Sequence, residues 1–391
     1  MTLAGLDVLS RTNFAQLKGK RIGVLCNQGS IARDYRHILD LLLEQPDIQI
    51  QAVFGPQHGP FGHQQDNMIE WEGRIDPRTG LRVHSLYGER REPTAEMLQG
   101  IDELVIDLQD VGARYYTFVS TMKACLGALK SYGIAATVLD RPNPISGSQT
   151  EGPMLEDGFE SFVGAYPVPA RHGMTIGELA RRFHADAKVI PLEGWERDMY
   201  FEQTDLPWAM PSPNMPTPDT AVVYPGACLL EATNLSEGRG TTRPFEIFGA
   251  PFLDAWRFAD AMNAMRLEGC IFRPIEFEPT FNKHAGKVCG GCFLHVTDRT
   301  TFEPVLTYCA VMQEAIRQTG LHVAEGPTDE RFKPDSTETR LPGFAWRRPP
   351  YEYVTDRRPI DVLAGNSWLA AEIENETPLA KLRARLKARM P

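Results

Sequence analysis

The sequence predicts an α/β protein, with a parallel sheet covered on both faces and a smaller α+β domain after it. Three observations carry that reading. Short apolar runs alternate with helical patterns through the first half, which is how a parallel sheet with crossover helices is written. The polar clusters follow the apolar runs directly. The texture changes near residue 246, and 391 residues are too many for one hydrophobic core. The expected domains are residues 1–245 and 246–391.

The elements follow in order. RIGVLCN (21–27) reads as a buried strand, HILDLLLEQ (37–45) as a helix and IQIQAVFGP (48–56) as a second strand. A long polar stretch then runs through residue 92. TAEMLQGI reads as a helix and ELVIDLQD (103–110) as a strand. Val119, Met122, Leu126 and Leu129 share one face of the next helix, which Gly133 ends. IAATVLD (134–140) is a strand. Thr175 and Glu178 form a capping box for the helix burying Ile176, Leu179, Ala180 and Phe183, and AKVIPLEG (187–194) is a fifth strand. Beyond residue 246, helices at 254–268 and 304–319 flank strand-like pieces in FRPIEFEPTF and CFLHVTD. Residues 323–360 read as an extended surface stretch, and LAKLRARLKARM as a solvated basic amphipathic helix.

Composition excludes several classes. Apolar residues make up 42% and charged residues 24%, as in a folded globular chain. The net charge of −10 disfavours nucleic acid, whose binding needs a basic face. No apolar window is long enough to span a membrane, the N-terminus has no signal-peptide pattern, and seven unevenly spaced cysteines fit a reducing, cytoplasmic setting. Cys289 and Cys292 form a lone CxxC whose two glycines read as a bulge, so no metal is expected there. Neither GxGxxG nor a Walker A sequence is present, so no nucleotide cofactor is expected, and no GxSxG or HExxH occurs.

In open parallel sheets ligands bind beyond the carboxyl ends of the strands. Asn27 to Gly29, Gly55 to Gly59, Asp107 to Arg114 and Asp140 to Asn143 all lie at such ends. A second polar island lies in PSPNMPTPDTAVVYPGACLLEATNLSEGRGTTRP (211–244). Its prolines and glycines read as a shaped irregular loop presenting Glu237, Arg239 and Arg243. Glu237 and Asp110 are the candidate carboxylates, and His58, in a Gly/Pro turn, is a candidate general base ranked above His172. Asp107 reads as a structural partner. Tyr115 and Tyr116, with Trp71, offer flat faces for a sugar ring, one tyrosine pointing inward.

FGPQHGPFGHQQDNM, DLQDVGARYYTF, LDRPNPISG, EGPML, RHGMTIGELA, PSPNMP, YPGACLLEATNLSEGRGTTRPFEIFGAP and FRPIEFEPTFNKHAGKVCGG resemble, in this order, the bacterial exo-β-N-acetylmuramidase family. The resemblance runs from about residue 5 to the C-terminus. It implies a Rossmann-like domain with an auxiliary domain and carboxylate acid/base chemistry in the cleft between them. The implied reaction removes terminal N-acetylmuramic acid from the non-reducing end of peptidoglycan fragments, without a cofactor. On this reading the candidate substrate contacts are Gln57, Gln65, Asp66, Arg114, Tyr115, Tyr116, Arg141, Asn143, His172, Asn214, Arg239 and Arg243. Arg239, Arg243, Arg114 and Arg141 are candidates for the lactyl carboxylate, which a guanidinium grips with two hydrogen bonds. One departure matters: many relatives have Glu where this chain has Gln57, and an amide cannot protonate a leaving oxygen. Asp66, Glu70 or Glu237 could take that role. Alternatively the chain binds muropeptides without cleaving them, or hydrolyses another acidic amino sugar.

Overall fold

The computed structural model describes residues 1–66, 68–326 and 336–388, in two compact units. The first comprises residues 1–112, 116–149 and 173–218. It holds α1 (Gly5–Arg11), β1 (Arg21–Cys26), α2 (Ile38–Leu43), β2 (Gln49–Gly55), β3 (Arg74–Ile75), β4 (Arg82–Ser85), β5 (Glu103–Asp107), α3 (Phe118–Tyr132) and β6 (Ala135–Leu139). Residues 150–172, with β7 (Glu151–Met154) and β8 (Pro169–Arg171), belong to the second unit. Next, α4 (Ile176–Phe183) and β9 (Lys188–Ile190) belong to the first.

The seven-stranded sheet has the order β3-β4-β2-β1-β5-β6-β9, parallel throughout except between β3 and β4. Successive residues of β1 and β5 point to opposite faces, yet nearly all are buried, so both faces are covered. The chain runs from β1 outward through β2 and β4, then starts again beside β1 with β5. That reversal leaves a crevice beyond Cys26 and Asp107, which pair in register. Gly133 ends α3 in the left-handed conformation, and Thr175 and Glu178 cap α4 reciprocally.

Two expectations for this unit change. β3 and β4 lie in the stretch read as polar, because β3, at the sheet edge, buries neither residue and β4 beside it buries only Val83. TAEMLQGI forms consecutive turns rather than a helix, with Gly100 in the left-handed region at its end.

The second unit comprises residues 113–115, 150–172 and 219–391. After β7 and β8 it contains α5 (Pro218–Ala227), a 3₁₀ turn (Cys228–Ala232), β10 (Ile247–Ala250), α6 (Ala255–Ala264), β11 (Cys270–Phe277), β12 (Cys289–Val296) and α7 (Pro304–Thr319). β13 (Leu321–His322), β14 (Phe344–Ala345), α8 (Pro359–Ala364), α9 (Leu369–Glu374) and α10 (Leu379–Ala388) complete it. β10, β12 and β11 form an antiparallel sheet in that order, and α7 is buried from Pro304 to Ile316.

Four expectations are corrected here. The centre of 211–244 is helical: Pro218 opens α5, where its missing N–H costs nothing, and Thr220 to Ala227 are buried. Gly290 and Gly291 form no bulge, since the β11–β12 register is unbroken. A Cβ at Gly291 would lie 2.0 Å from the Phe248 carbonyl oxygen, so the glycines admit a neighbouring main chain. The described part of 323–360 turns inward, with Phe344, Ala345, Arg347 and Tyr351 buried; residues 327–335 lie outside the described residues. α10 is docked rather than solvated: Leu382 and Leu386 are buried, and Arg383 and Lys387 both pair with Glu303.

Candidate active site

In the first unit the sheet-edge groups converge around the β1–β5 crevice. Asn27 donates to the Pro211 carbonyl, and the Ser30 hydroxyl donates to the Asp107 carbonyl. The Arg141 guanidinium grips the Asp107 carboxylate with two hydrogen bonds of 2.5 and 2.8 Å and reaches the Ile31 carbonyl. Asp107 is therefore a structural partner, and Arg141 is committed to it. Gln109 donates to the Asp110 and Pro142 carbonyls, and Asp110 accepts the Gly112 N–H at 2.8 Å. Asn143 donates to the Met174 carbonyl while accepting the Ile145 N–H.

After β2, Gln57 is buried and its Oε1 accepts the Thr117 hydroxyl at 2.7 Å. His58 has φ +68°, and its Nδ1–H donates to the Gln64 carbonyl at 2.7 Å. Asn214 donates to the Gln65 carbonyl at 2.6 Å. Asp66, on the same loop, is half-buried. Asp140 has its pKa pushed up to about 6 by burial, against hydrogen bonds from Gly177, Thr175 and Arg141. Those donors make it the anchor of the α4 N-terminus.

The second unit contains a buried ionic network that the sequence does not announce. Glu237, 2% exposed, has Oε2 at 2.8 Å from Lys283 Nζ and Oε1 at 3.1 Å from Arg239 Nε. Arg239 also donates to Glu231 at 2.7 Å, and the Tyr351 hydroxyl donates to the other Glu231 oxygen at 2.8 Å. Lys283 is completed by the Leu230 and Leu235 carbonyls, and Arg347 donates to the Glu231 carbonyl. Burial alone would raise the Glu237 pKa, but the Lys283 and Arg239 charges outweigh it and hold the carboxyl below its ordinary value. Burial pulls the Lys283 ammonium down; three acceptors keep its proton in place. Glu237 is thus an ionised carboxylate at neutral pH, suited to stabilising positive charge or attacking carbon, and unsuited to donating a proton.

The adjoining His284 donates from Nε2 to the Asn234 carbonyl at 2.7 Å, and burial lowers its pKa to about 4. Among the described residues no three His, Cys, Asp or Glu side chains are grouped so as to hold a metal ion.

Several candidates stand elsewhere than the sequence places them. Arg114 is buried and spends its guanidinium on four main-chain carbonyls, those of Pro153, Val168, Leu363 and Ala364. Tyr115, Tyr116 and Trp71 are all buried, so none presents an open face, and Tyr115 donates to the Pro225 carbonyl. His172 is buried directly after β8. The glycines beside Arg239 serve chain packing rather than ligand approach: a Cβ on Gly238 would meet the Ile247 carbonyl oxygen at 2.2 Å, and one on Gly240 the Phe281 N at 2.7 Å. Arg243, by contrast, has a side chain 41% exposed and a looser 3.4 Å contact to Glu246.

Glu231, Lys283, Arg347 and Tyr351 escaped the sequence reading. Glu231 sits in an apolar run where a lone Glu reads as surface. Arg347 and Tyr351 lie in a stretch that reads as exposed. The visible signal was Asn282-Lys283-His284, three polar residues set between Phe281 and Ala285-Gly286 without periodicity.

Glu151 is a further buried carboxyl, accepting the Leu306 N–H at 2.9 Å at the start of α7. Burial pushes its pKa up to about 7, against that hydrogen bond and the Arg171 charge. A raised folded-state pKa gives stability that is full below the unfolded value near 4.3 and lost as pH rises through about 7. Glu151→Gln keeps the acceptor and removes the charge. The variant should gain about 2–3 kcal/mol on wild type between pH 5 and pH 8, measured by urea unfolding at both. Equal pH slopes would mean that Glu151 is ionised in the folded state without cost.

Residues 22–219 match the family model described as "Exo-beta-N-acetylmuramidase NamZ, N-terminal", and residues 222–390 match its C-terminal counterpart. The chain is 43% identical over 384 residues to the peptidoglycan beta-N-acetylmuramidase NamZ of Bacillus subtilis (strain 168), covering 97% of this chain and 86% of that protein. Two crystal structures of DUF1343 family proteins from Bacteroides fragilis NCTC 9343 share the fold. One has a TM-score of 0.77 at 30% identity, covering 98% of each chain. The other has a TM-score of 0.70 at 26% identity, covering 99% of this chain and 95% of its own.

Proposed function

The chain belongs to the exo-beta-N-acetylmuramidase family whose two models match its two halves, and from that membership we propose that it is an exo-acting glycosidase. It removes terminal N-acetylmuramic acid from the non-reducing end of peptidoglycan fragments, using protein side chains and no cofactor. The observation that carries this reading is 43% identity, sustained over 97% of the chain, to a peptidoglycan beta-N-acetylmuramidase. Within it, Glu237 is the anionic group of the reaction, facing the oxocarbenium-like charge that glycoside cleavage develops. Asp110 is the sheet-edge carboxylate, tested by Asp110→Asn, His58 is the general base, and Gln57 is a substrate contact. No helix among the described residues is long and apolar enough to cross a membrane. The seven cysteines are all free thiols, six of them buried, which supports a reducing, cytoplasmic place for the enzyme.

Gln57 favours a second reading, a muropeptide-binding protein without turnover. One experiment separates the two: a chromogenic N-acetylmuramic acid glycoside is offered to wild type and to Gln57→Glu. Release of the aglycone by wild type supports the glycosidase. Binding without release by wild type, with release by Gln57→Glu, supports the binding protein.

The lactyl carboxylate distinguishes muramic acid from glucosamine. Arg239, Arg114 and Arg141 are committed to the protein's own acceptors, which leaves Arg243 as the reader. Arg243→Lys keeps the charge but loses the planar fork. The preference in kcat/KM for the muramic acid glycoside over its glucosamine analogue should fall by about ten- to a hundredfold, the worth of a charge-assisted hydrogen bond. An unchanged preference removes Arg243 from that role.

A further inference from the structure

A sugar-cleaving site generally needs an exposed aromatic face for the apolar side of a pyranose, and the tyrosines expected to supply it are buried. The large exposed aromatic side chains among the described residues are Tyr35, Tyr132, Trp256 and Tyr353. Tyr353 differs from the others in what holds it. Tyr351 N–H donates to the Val354 carbonyl at 3.0 Å and Val354 N–H donates to the Tyr351 carbonyl at 2.9 Å, so Glu352 and Tyr353 form a two-residue reverse turn. Both have positive φ, +44° and +71°. Turns with two left-handed residues favour Asn-Gly, because a side chain there strains the backbone.

Strained non-glycine residues persist only where the surroundings hold them, and they gather at functional sites. Here the holding is explicit. The Tyr351 hydroxyl donates to Glu231 at 2.8 Å, Arg347 N–H donates to the Ala232 carbonyl at 2.8 Å, and the Arg347 guanidinium lies over the Tyr351 ring. The turn is therefore tied to the same network that carries Arg239, Lys283 and Glu237. Its outer residue, Tyr353, is 53% exposed.

We propose that this strained turn exists to present Tyr353 as a stacking platform for a pyranose ring of the glycan substrate. The inference rests on the saccharide reading of the site above and names one of its specificity contacts. A turn kept only for chain reversal needs no aromatic ring at residue 353, where glycine suits the left-handed conformation better.

Tyr353→Gly separates the two roles, because glycine suits the left-handed conformation. Its Tm should stay level or rise by up to ~2 °C, while kcat/KM on the muramic acid glycoside falls about three- to tenfold, the worth of an aromatic contact. Tyr353→Phe should retain both. Tyr35→Gly is the control: Tyr35 is also exposed with φ +68° but lies outside the network, so activity should not change. Wild-type kcat/KM in Tyr353→Gly overturns the proposal, as does a fall in Tm of several degrees, which would make the ring structural. Loss of activity in Tyr35→Gly would move the platform to Tyr35. If wild type does not turn the glycoside over, the glycosidase reading fails. The Kd for the intact glycoside, by calorimetry, then decides Tyr353 by the same three- to tenfold criterion.

Discussion

Glu237→Gln should remove hydrolysis and also destabilise the protein, and a second substitution at Lys283 should pull the two losses apart. The carboxylate is 2% exposed between Lys283 and Arg239, so deleting its charge leaves two buried cations facing an amide. Breaking a buried pair from one side costs about 3–5 kcal/mol. Loss of a preorganised group that stabilises transition-state charge costs ~10²–10³ in rate. Glu237→Gln with Lys283→Met removes both charges and should recover much of the stability, read by urea unfolding, without recovering kcat. Recovery of turnover in that double variant would make Glu237 a structural residue. The pH dependence follows the same sign. Because the folded-state pKa of Glu237 is depressed, its contribution is present above the unfolded value near 4.3 and is lost as pH falls through the lower folded value. Acid unfolding of wild type should therefore steepen below pH 4, and the double variant should lack that component.

What the sequence could disclose has a physical pattern. The elements read correctly are those whose burial is periodic: β1, β2, β5, β6 and α3 bury a face or both, and α7 follows Pro304 at its first turn. β3 and β4 were hidden because the two strands together bury only Val83, and one residue makes no period. The polar groups at the sheet's carboxyl edge were legible because a parallel sheet puts strand ends together, whatever the strand order. The Glu237 network was half legible. Glu237 and Arg239 share a loop, but Glu231, Lys283 and Arg347 reach them only through tertiary folding. A buried ion pair leaves no local signature, since its partners are set by packing rather than spacing. The same limit explains Arg114, whose charge in DVGARYY reads as a ligand contact until its acceptors are seen to be main-chain carbonyls.

Arg114→Met should be the most destabilising arginine replacement in the second unit, with a loss of about 3–5 kcal/mol. One guanidinium nitrogen takes the Pro153 and Val168 carbonyls, beside the β7–β8 pair, at 2.7 and 2.8 Å. The other takes the Leu363 and Ala364 carbonyls, both at 2.8 Å, the last two of α8. Helix ends leave carbonyls without intrahelical partners, and a cation there answers both the missing hydrogen bonds and the helix dipole. Burial lowers the Arg114 pKa to about 10, which still leaves it charged at neutral pH. Methionine fills the volume but offers no donor, so four buried carbonyls lose a partner together. Lysine restores the charge with a single nitrogen that cannot reach both pairs, so Arg114→Lys should fall between wild type and Arg114→Met in urea midpoint. The lactyl-binding role implied by the family resemblance predicts the opposite result: intact stability with a fall in kcat/KM confined to the muramic acid glycoside. Measuring both quantities at a temperature where the variants remain folded decides between them. The four short bonds to main chain favour the structural outcome.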